Sequence, residues 1–244
     1  MMTIGNAETT VPAYVSEPAG QPKGALIVIH EVWGLVDHTR DVADRFAAEG
    51  YLVVAPNLLA DTAMTPELAQ ELQATLIDPQ QRSKVQPKLR EVMAPLHAPG
   101  FAERTNAAVQ ACFEHLNGIP AVAGRVAVIG FCFGGSYSFS LATQVPRLRA
   151  AIPFYGHADF SDEQLRNISC PVLAFYGEKD KALTDKLPEL EARMAAAGVD
   201  FNDVVYPGAG HAFFNDTNSW TYNADAAADA WNRTLAFLDA NVAA

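Results

Sequence analysis

The sequence predicts an α/β protein built on a mainly parallel, doubly wound sheet with helices on both faces. Two patterns and one number carry that expectation. Short apolar, β-branched runs recur without polar alternation, as in strands buried on both faces. Between them lie segments with apolar residues at helical spacing. The charged fraction is only 18%, as a sheet covered on both sides requires. With 244 residues, half of them hydrophobic, the chain can bury a sizeable core and is read as one domain over 1–244.

The elements follow in order. Residues 10–16 (TVPAYVS) alternate weakly and suit an edge strand, with Pro12 limiting its pairing. Residues 24–30 (GALIVIH) form a buried strand that ends in a polar Glu31 and a turn at Gly34. A helix over 39–50 shows an apolar face at Val42, Ala43, Phe46 and Ala47 and closes at Gly50. Residues 51–55 (YLVVA) give the next buried strand, stopped by Pro56. From 56 to about 98 the pattern is mixed, with a helix over 65–76 and then Pro79, Pro87, Pro95 and Pro99. That stretch is read as a helical excursion outside the sheet, suited to a lid or pocket wall. A helix over 101–117 places Cys112 on its apolar stripe, and strand 126–129 with helix 136–144 follows. Strands at 149–155, 171–176 and 201–206, a helix over 184–197 and an alanine-rich helix over 224–242 complete the chain.

Charge and cysteine content narrow the functions. A net charge of −11 argues against nucleic acid and anionic membrane surfaces as partners. No apolar run reaches the roughly 18 to 20 residues needed to span a bilayer, and the first residues lack the pattern of a secretory leader. Three cysteines, an odd number with no C-x-x-C, suit free thiols in a reducing cytoplasm, and no metal-ligand spacing stands out. The expected partner is a small molecule. Oligomeric state is left open, with a monomer favoured.

The segment 126–145 concentrates the chemistry. Its order is a buried strand, then GFCFGG, then a helix, the G-x-nucleophile-x-G elbow of α/β-hydrolases with Cys132 where serine is commoner. The glycines permit a sharp turn in which larger side chains would collide with neighbouring strand and helix. The elbow sets the thiol at the sheet's carboxyl edge beside a helix amino end, where the dipole favours thiolate. Two more residues follow buried strands: Asp180 in the turn YGEKD and His211 in the glycine-bordered loop PGAGHAFFND. The chain order nucleophile, acid, histidine is that of α/β-hydrolases, and ligands of open α/β sheets bind beyond the strands' carboxyl ends. His211 is then general base and acid, and Asp180 orients it. Glu178 is a rival for the acid, set behind Asp180 because a G-x-x-D turn after a strand suits that role. Of the other histidines, His30 and His157 end strands and could line a pocket. His38, His97 and His115 lack partners in view, while Cys112 and Cys170 are read as structural.

Together GFCFGG, YGEKD, PGAGHAFFND and VIHEVWGL resemble the dienelactone hydrolase family from about residue 10 to 240. That resemblance implies an α/β-hydrolase sheet of about eight strands without a large cap, and no metal or organic cofactor. It implies a Cys132–Asp180–His211 triad and adds Glu31 as a glutamate that assists thiol deprotonation when substrate binds. Oxyanion donors are expected at the backbone N–H groups of Phe133 and Val32. Trp33, Phe131 and Tyr155 are expected as apolar pocket walls. Members acting on dienelactones hold the substrate carboxylate with arginines, one of them four residues after the catalytic histidine. Here that position is the neutral Asn215, and Arg82 or Arg90 could supply another.

Cysteine also bears on the substrate. A thiolate leaves a tetrahedral intermediate more readily than an alkoxide, so forward reaction needs a leaving group at least as good, such as an enolate or phenolate. The expected activity is therefore hydrolysis of an activated ester or enol lactone through an acyl-cysteine. Two other readings stay open: a broader carboxylesterase or thioesterase, and a catalytically silent binding module of the same fold.

Overall fold

A computed structural model describes residues 1–5, 9–77 and 81–243, and Pro79 lies outside them. The strands are β1 (Met2–Gly5), β2 (Thr10–Ser16), β3 (Gly24–Ile29), β4 (Tyr51–Pro56), β5 (Val126–Phe131), β6 (Ala150–Phe154), β7 (Val172–Gly177) and β8 (Phe201–Tyr206). All eight join one sheet in the order β1-β2-β4-β3-β5-β6-β7-β8, antiparallel at β1–β2 and β2–β4 and parallel elsewhere. The apolar runs explain the middle of that order. Every residue of β3, β5, β6 and β7 is buried, because helices cover both faces.

The major helices are α1 (Asp37–Ala48), α2 (Pro66–Ile77), α3 (Arg82–Met93), α4 (Phe101–Asn117) and α5 (Phe133–Gln144). After β6 come α6 (Asp162–Arg166), α7 (Lys181–Thr184), α8 (Leu187–Ala197) and α9 (Ala224–Asn241). On one face α1 meets α9, with the Phe46 and Trp231 rings 4.4 Å apart. On the other, α4 packs on α5, α5 on α6, and α6 on α8. No helix among the described residues is long and apolar enough to cross a membrane.

Strand order reverses about β3: the chain steps outward to β4 on one side and to β5 on the other. The loops leaving β3 and β5 therefore part, opening a crevice at their carboxyl ends, the usual ligand site of such sheets. The register Ile29↔Gly130 brings the loop at Glu31 level with Cys132. The described residues between 57 and 98 form the expected helical excursion. Its Leu59, Met64, Leu72, Val85 and Val92 make a small core of their own, packed against Trp33 and Phe133 at the crevice edge.

The structure departs from the expected elements in several places; β2, expected at the sheet edge, lies between β1 and β4. The alternating MTIG was not legible as a strand, yet β1 pairs with β2 at the sheet edge. Helix α6 is a single turn held by a capping box between Ser161 and Gln164, too short to show periodicity. The helix expected over 184–197 begins only at Leu187, as α8 with Pro188 in its first turn, and a separate turn, α7, ends at Thr184. Helix α5 begins at Phe133 rather than at 136, because Gly134 and Gly135 are helical where their propensity argues otherwise.

Candidate active site

Cys132 is the single residue between β5 and α5. Its φ of 54° lies in the left-handed region, a conformation costing a non-glycine residue of order 1–3 kcal/mol. The flanking glycines make the turn possible. A Cβ on Gly130 would sit 2.0 Å from the Gly134 carbonyl oxygen, and one on Gly134 would sit 2.3 Å from that of Ile29. Both obstacles are backbone. Gly134→Ala is accordingly expected to destabilise the fold by roughly 1–3 kcal/mol or more, read by urea denaturation. An unchanged midpoint would show that the elbow tolerates displacement.

His211 and Asp180 follow the ends of β8 and β7, at the same edge of the sheet as Cys132. The Asp180 carboxylate bonds His211 Nδ1. Asp180 occupies the N-cap position of α7, but its side chain makes no cap bond, leaving it for His211. Glu178 instead accepts a 2.8 Å bond from the Gly208 N–H and holds the histidine loop. Phe213 and Phe214, both buried, anchor that loop in an aromatic core with Phe154 and Tyr206. Burial opposes charge on His211, but hydrogen bonds and charge from Asp180 and Cys132 outweigh it and raise its pKa to about 10. Cys132 thus lies near enough to His211 to favour its charged form. Cys112 and Cys170 are free and buried, and burial pushes each thiol up to about 12.

Glu31 is buried in the same crevice. Asn215 Nδ2 donates to its Oε2 at 2.8 Å and the Tyr155 hydroxyl to its Oε1 at 3.3 Å. Burial raises the Tyr155 hydroxyl pKa, and the negative charges of Glu31 and Cys132 add to the shift, so both groups lie close to one phenol. Tyr155 has a φ of 39° and Ala212 one of 60°. With Cys132 these are the left-handed non-glycine residues among those described, and all three belong to this site.

Other expected residues are placed as follows. Val32 and Phe133 flank Cys132 on the β3 loop and the first turn of α5, and among the described residues neither N–H donates a hydrogen bond. Trp33 is half-buried against the small outer core. Phe131 and Tyr155, expected as pocket walls, present 2% and 0% of their surface and form the floor beneath the site. The correction has a simple cause: Phe131 is the last β5 residue, and its ring is claimed by Phe154 and Phe214. Asn215 is likewise buried, its carboxamide oxygen accepting from the Thr217 N–H and Oγ1. Arg90 is exposed and bonds its own helix at Gln86, while the Arg82 side chain lies outside the described residues.

The sequence reading did not find the Asn215–Glu31–Tyr155 cluster or the contacts of His30. These residues are up to 184 positions apart in the chain, and no local pattern marks them.

The profile of the dienelactone hydrolase family matches residues 11–242. A protein of Saccharolobus solfataricus, named as a candidate carboxymethylenebutenolidase, is 32% identical over 242 residues, covering 93% of each chain. One of the same name from Escherichia coli K12 is 31% identical over 253 residues, covering 96% of this chain and 83% of its own. A crystal structure from Klebsiella pneumoniae, described as a candidate dienelactone hydrolase, is similar at a TM-score of 0.75 with 27% identity, covering 97% of each chain.

Proposed function

The chain belongs to the dienelactone hydrolase family, and from that premise we propose that it hydrolyses activated esters or enol lactones through an acyl-cysteine. The observation that carries the reading is the line of Cys132, His211 and Asp180 at the carboxyl end of the sheet, its Asp180–His211 link a hydrogen bond and its Cys132–His211 link a charge interaction that favours the imidazolium.

The steps follow from that line. The Cys132 thiolate attacks the carbonyl carbon, and the oxygen takes the negative charge facing the Val32 and Phe133 N–H groups. The carbon–oxygen bond to the leaving group then breaks as His211 gives its proton to the leaving oxygen, which leaves the imidazole neutral. A water, losing its proton to His211, attacks the thioester; the sulfur–carbon bond breaks and the acid is released. Asp180 keeps His211 in the tautomer and orientation for both transfers. Glu31 lies in the same crevice, bonded to Asn215 and Tyr155; a carboxylate there disfavours a lone thiolate, so the imidazolium is the partner that a thiolate needs. A free thiol nucleophile suits a reducing compartment, consistent with a cytoplasmic setting.

Asn215 favours a second reading within this chemistry. The carboxamide four residues beyond His211 is engaged by Glu31 and Thr217, so this position offers a substrate carboxylate no cation. Uncharged activated esters then suit the site better than carboxylated lactones. Steady-state hydrolysis of an aryl acetate and of a carboxylated dienelactone tests this, with mass spectrometry of the quenched enzyme to find the acyl group. The expected result is an acyl adduct on the Cys132 peptide and a higher kcat/KM for the aryl acetate. A strong preference for the dienelactone would remove the second reading, and no adduct on Cys132 during turnover would remove the first.

A further inference from the structure

We infer that His30 is a positioning residue of the oxyanion site, locking the peptide that carries one donor and bracing the residue that carries the other. The inference rests on the hydrolase reading above and on contacts which that reading does not use. His30 is fully buried at the end of β3. The Leu58 N–H lies 3.0 Å from its Nε2. A backbone N–H only donates, so Nε2 is the acceptor and the ring proton sits on Nδ1. Nδ1–H then donates to the Glu31 carbonyl at 2.6 Å.

That carbonyl is one end of the peptide unit whose other end is the Val32 N–H. Because the unit is planar and trans, holding its oxygen directs its hydrogen the opposite way. The Gly34 N–H, 3.2 Å from the same oxygen, makes the grip two-pronged. The second donor is braced as well. The His30 ring stacks on the Phe133 ring with centroids 5.7 Å apart and planes at 5°, and the His30 carbonyl accepts from the Gly134 N–H at 3.2 Å. One buried imidazole therefore touches both sides of the crevice. Burial holds the ring neutral by lowering its pKa to about 4, which preserves the acceptor that Leu58 requires.

Two substitutions separate the ring's jobs. The Asn amide nitrogen falls near His Nδ1, so His30→Asn keeps the donor to Glu31 and loses the acceptor for Leu58. The Gln oxygen falls near Nε2, so His30→Gln does the reverse. On an aryl acetate, His30→Gln is expected to lower kcat by about 10–100-fold with KM little changed, because the donor is needed only at the transition state. His30→Asn is expected to recover most of that loss. A folded His30→Gln with wild-type kcat, or a folded His30→Asn that loses as much, would overturn the inference.

Should neither variant fold, nitrogen-15 NMR of the wild-type ring decides. The proton is expected on Nδ1, and a ring protonated on Nε2 overturns the inference without any appeal to activity. A wild type with the expected tautomer that hydrolyses no activated ester counts instead against the hydrolase reading, and the inference falls with it.

Discussion

Cys132→Ala is expected to lower kcat/KM for an activated ester by at least about 10⁴-fold while leaving the fold intact. The size of the loss follows from the covalent route. Without the sulfur no acyl intermediate forms, and the oxyanion donors can act only on direct attack by water. Stability should change little, since Cys132 is half-buried and alanine removes only the thiol. Its φ of 54° is carried by the backbone and is equally demanding of alanine. The same variant should resist alkylation by iodoacetamide under native conditions, because the other two thiols are buried and held protonated. Ester hydrolysis persisting in a homogeneous Cys132→Ala preparation would discard the acyl-cysteine mechanism. Native alkylation persisting in it would show that Cys112 or Cys170 opens to solvent.

Asp180→Asn should cost about 10³–10⁴-fold in kcat with a small change in KM, as expected when a histidine loses the carboxylate that sets its tautomer. A second readout comes from pH. Burial disfavours the His211 cation, yet bonds and charge from Asp180 and Cys132 raise its pKa to about 10. The unfolded value is near 6.5. A raised folded value means the pairing contributes stability fully below about pH 6.5, and that contribution is lost as pH rises through about 10. The wild-type Tm should therefore fall between pH 7 and 10 more steeply than that of Asp180→Asn, measured by scanning calorimetry. Parallel curves for the two chains would mean that the Asp180–His211 pair adds nothing to the folded state.

The sheet was legible because its middle strands are continuous apolar runs. A parallel strand covered on both faces has no reason to alternate, so 24–30, 126–129 and 171–176 stood out. Cys132, Asp180 and His211 were legible for a related reason. Each sits a few residues past such a strand, and the fold sends every parallel strand's carboxyl end to the same edge. The shortest elements were not legible, as β1 and α6 show. Four or five residues are too few for a period to emerge.

The sequence by itself determined the architecture, the elbow and the three residues in line, because each is written in a local pattern of strand, turn and glycine. Only the tertiary structure decided what surrounds them. It turned Phe131 and Tyr155 from walls into floor, because neighbouring aromatic rings claim their faces. It tied Asn215 to Glu31 and His30 to the Glu31 and Leu58 peptides. Two of those contacts join segments 28 and 184 residues apart. They arise because a buried polar group must find a partner wherever the packing brings one within reach, and that reach is set by the fold rather than by the neighbouring residues in the chain.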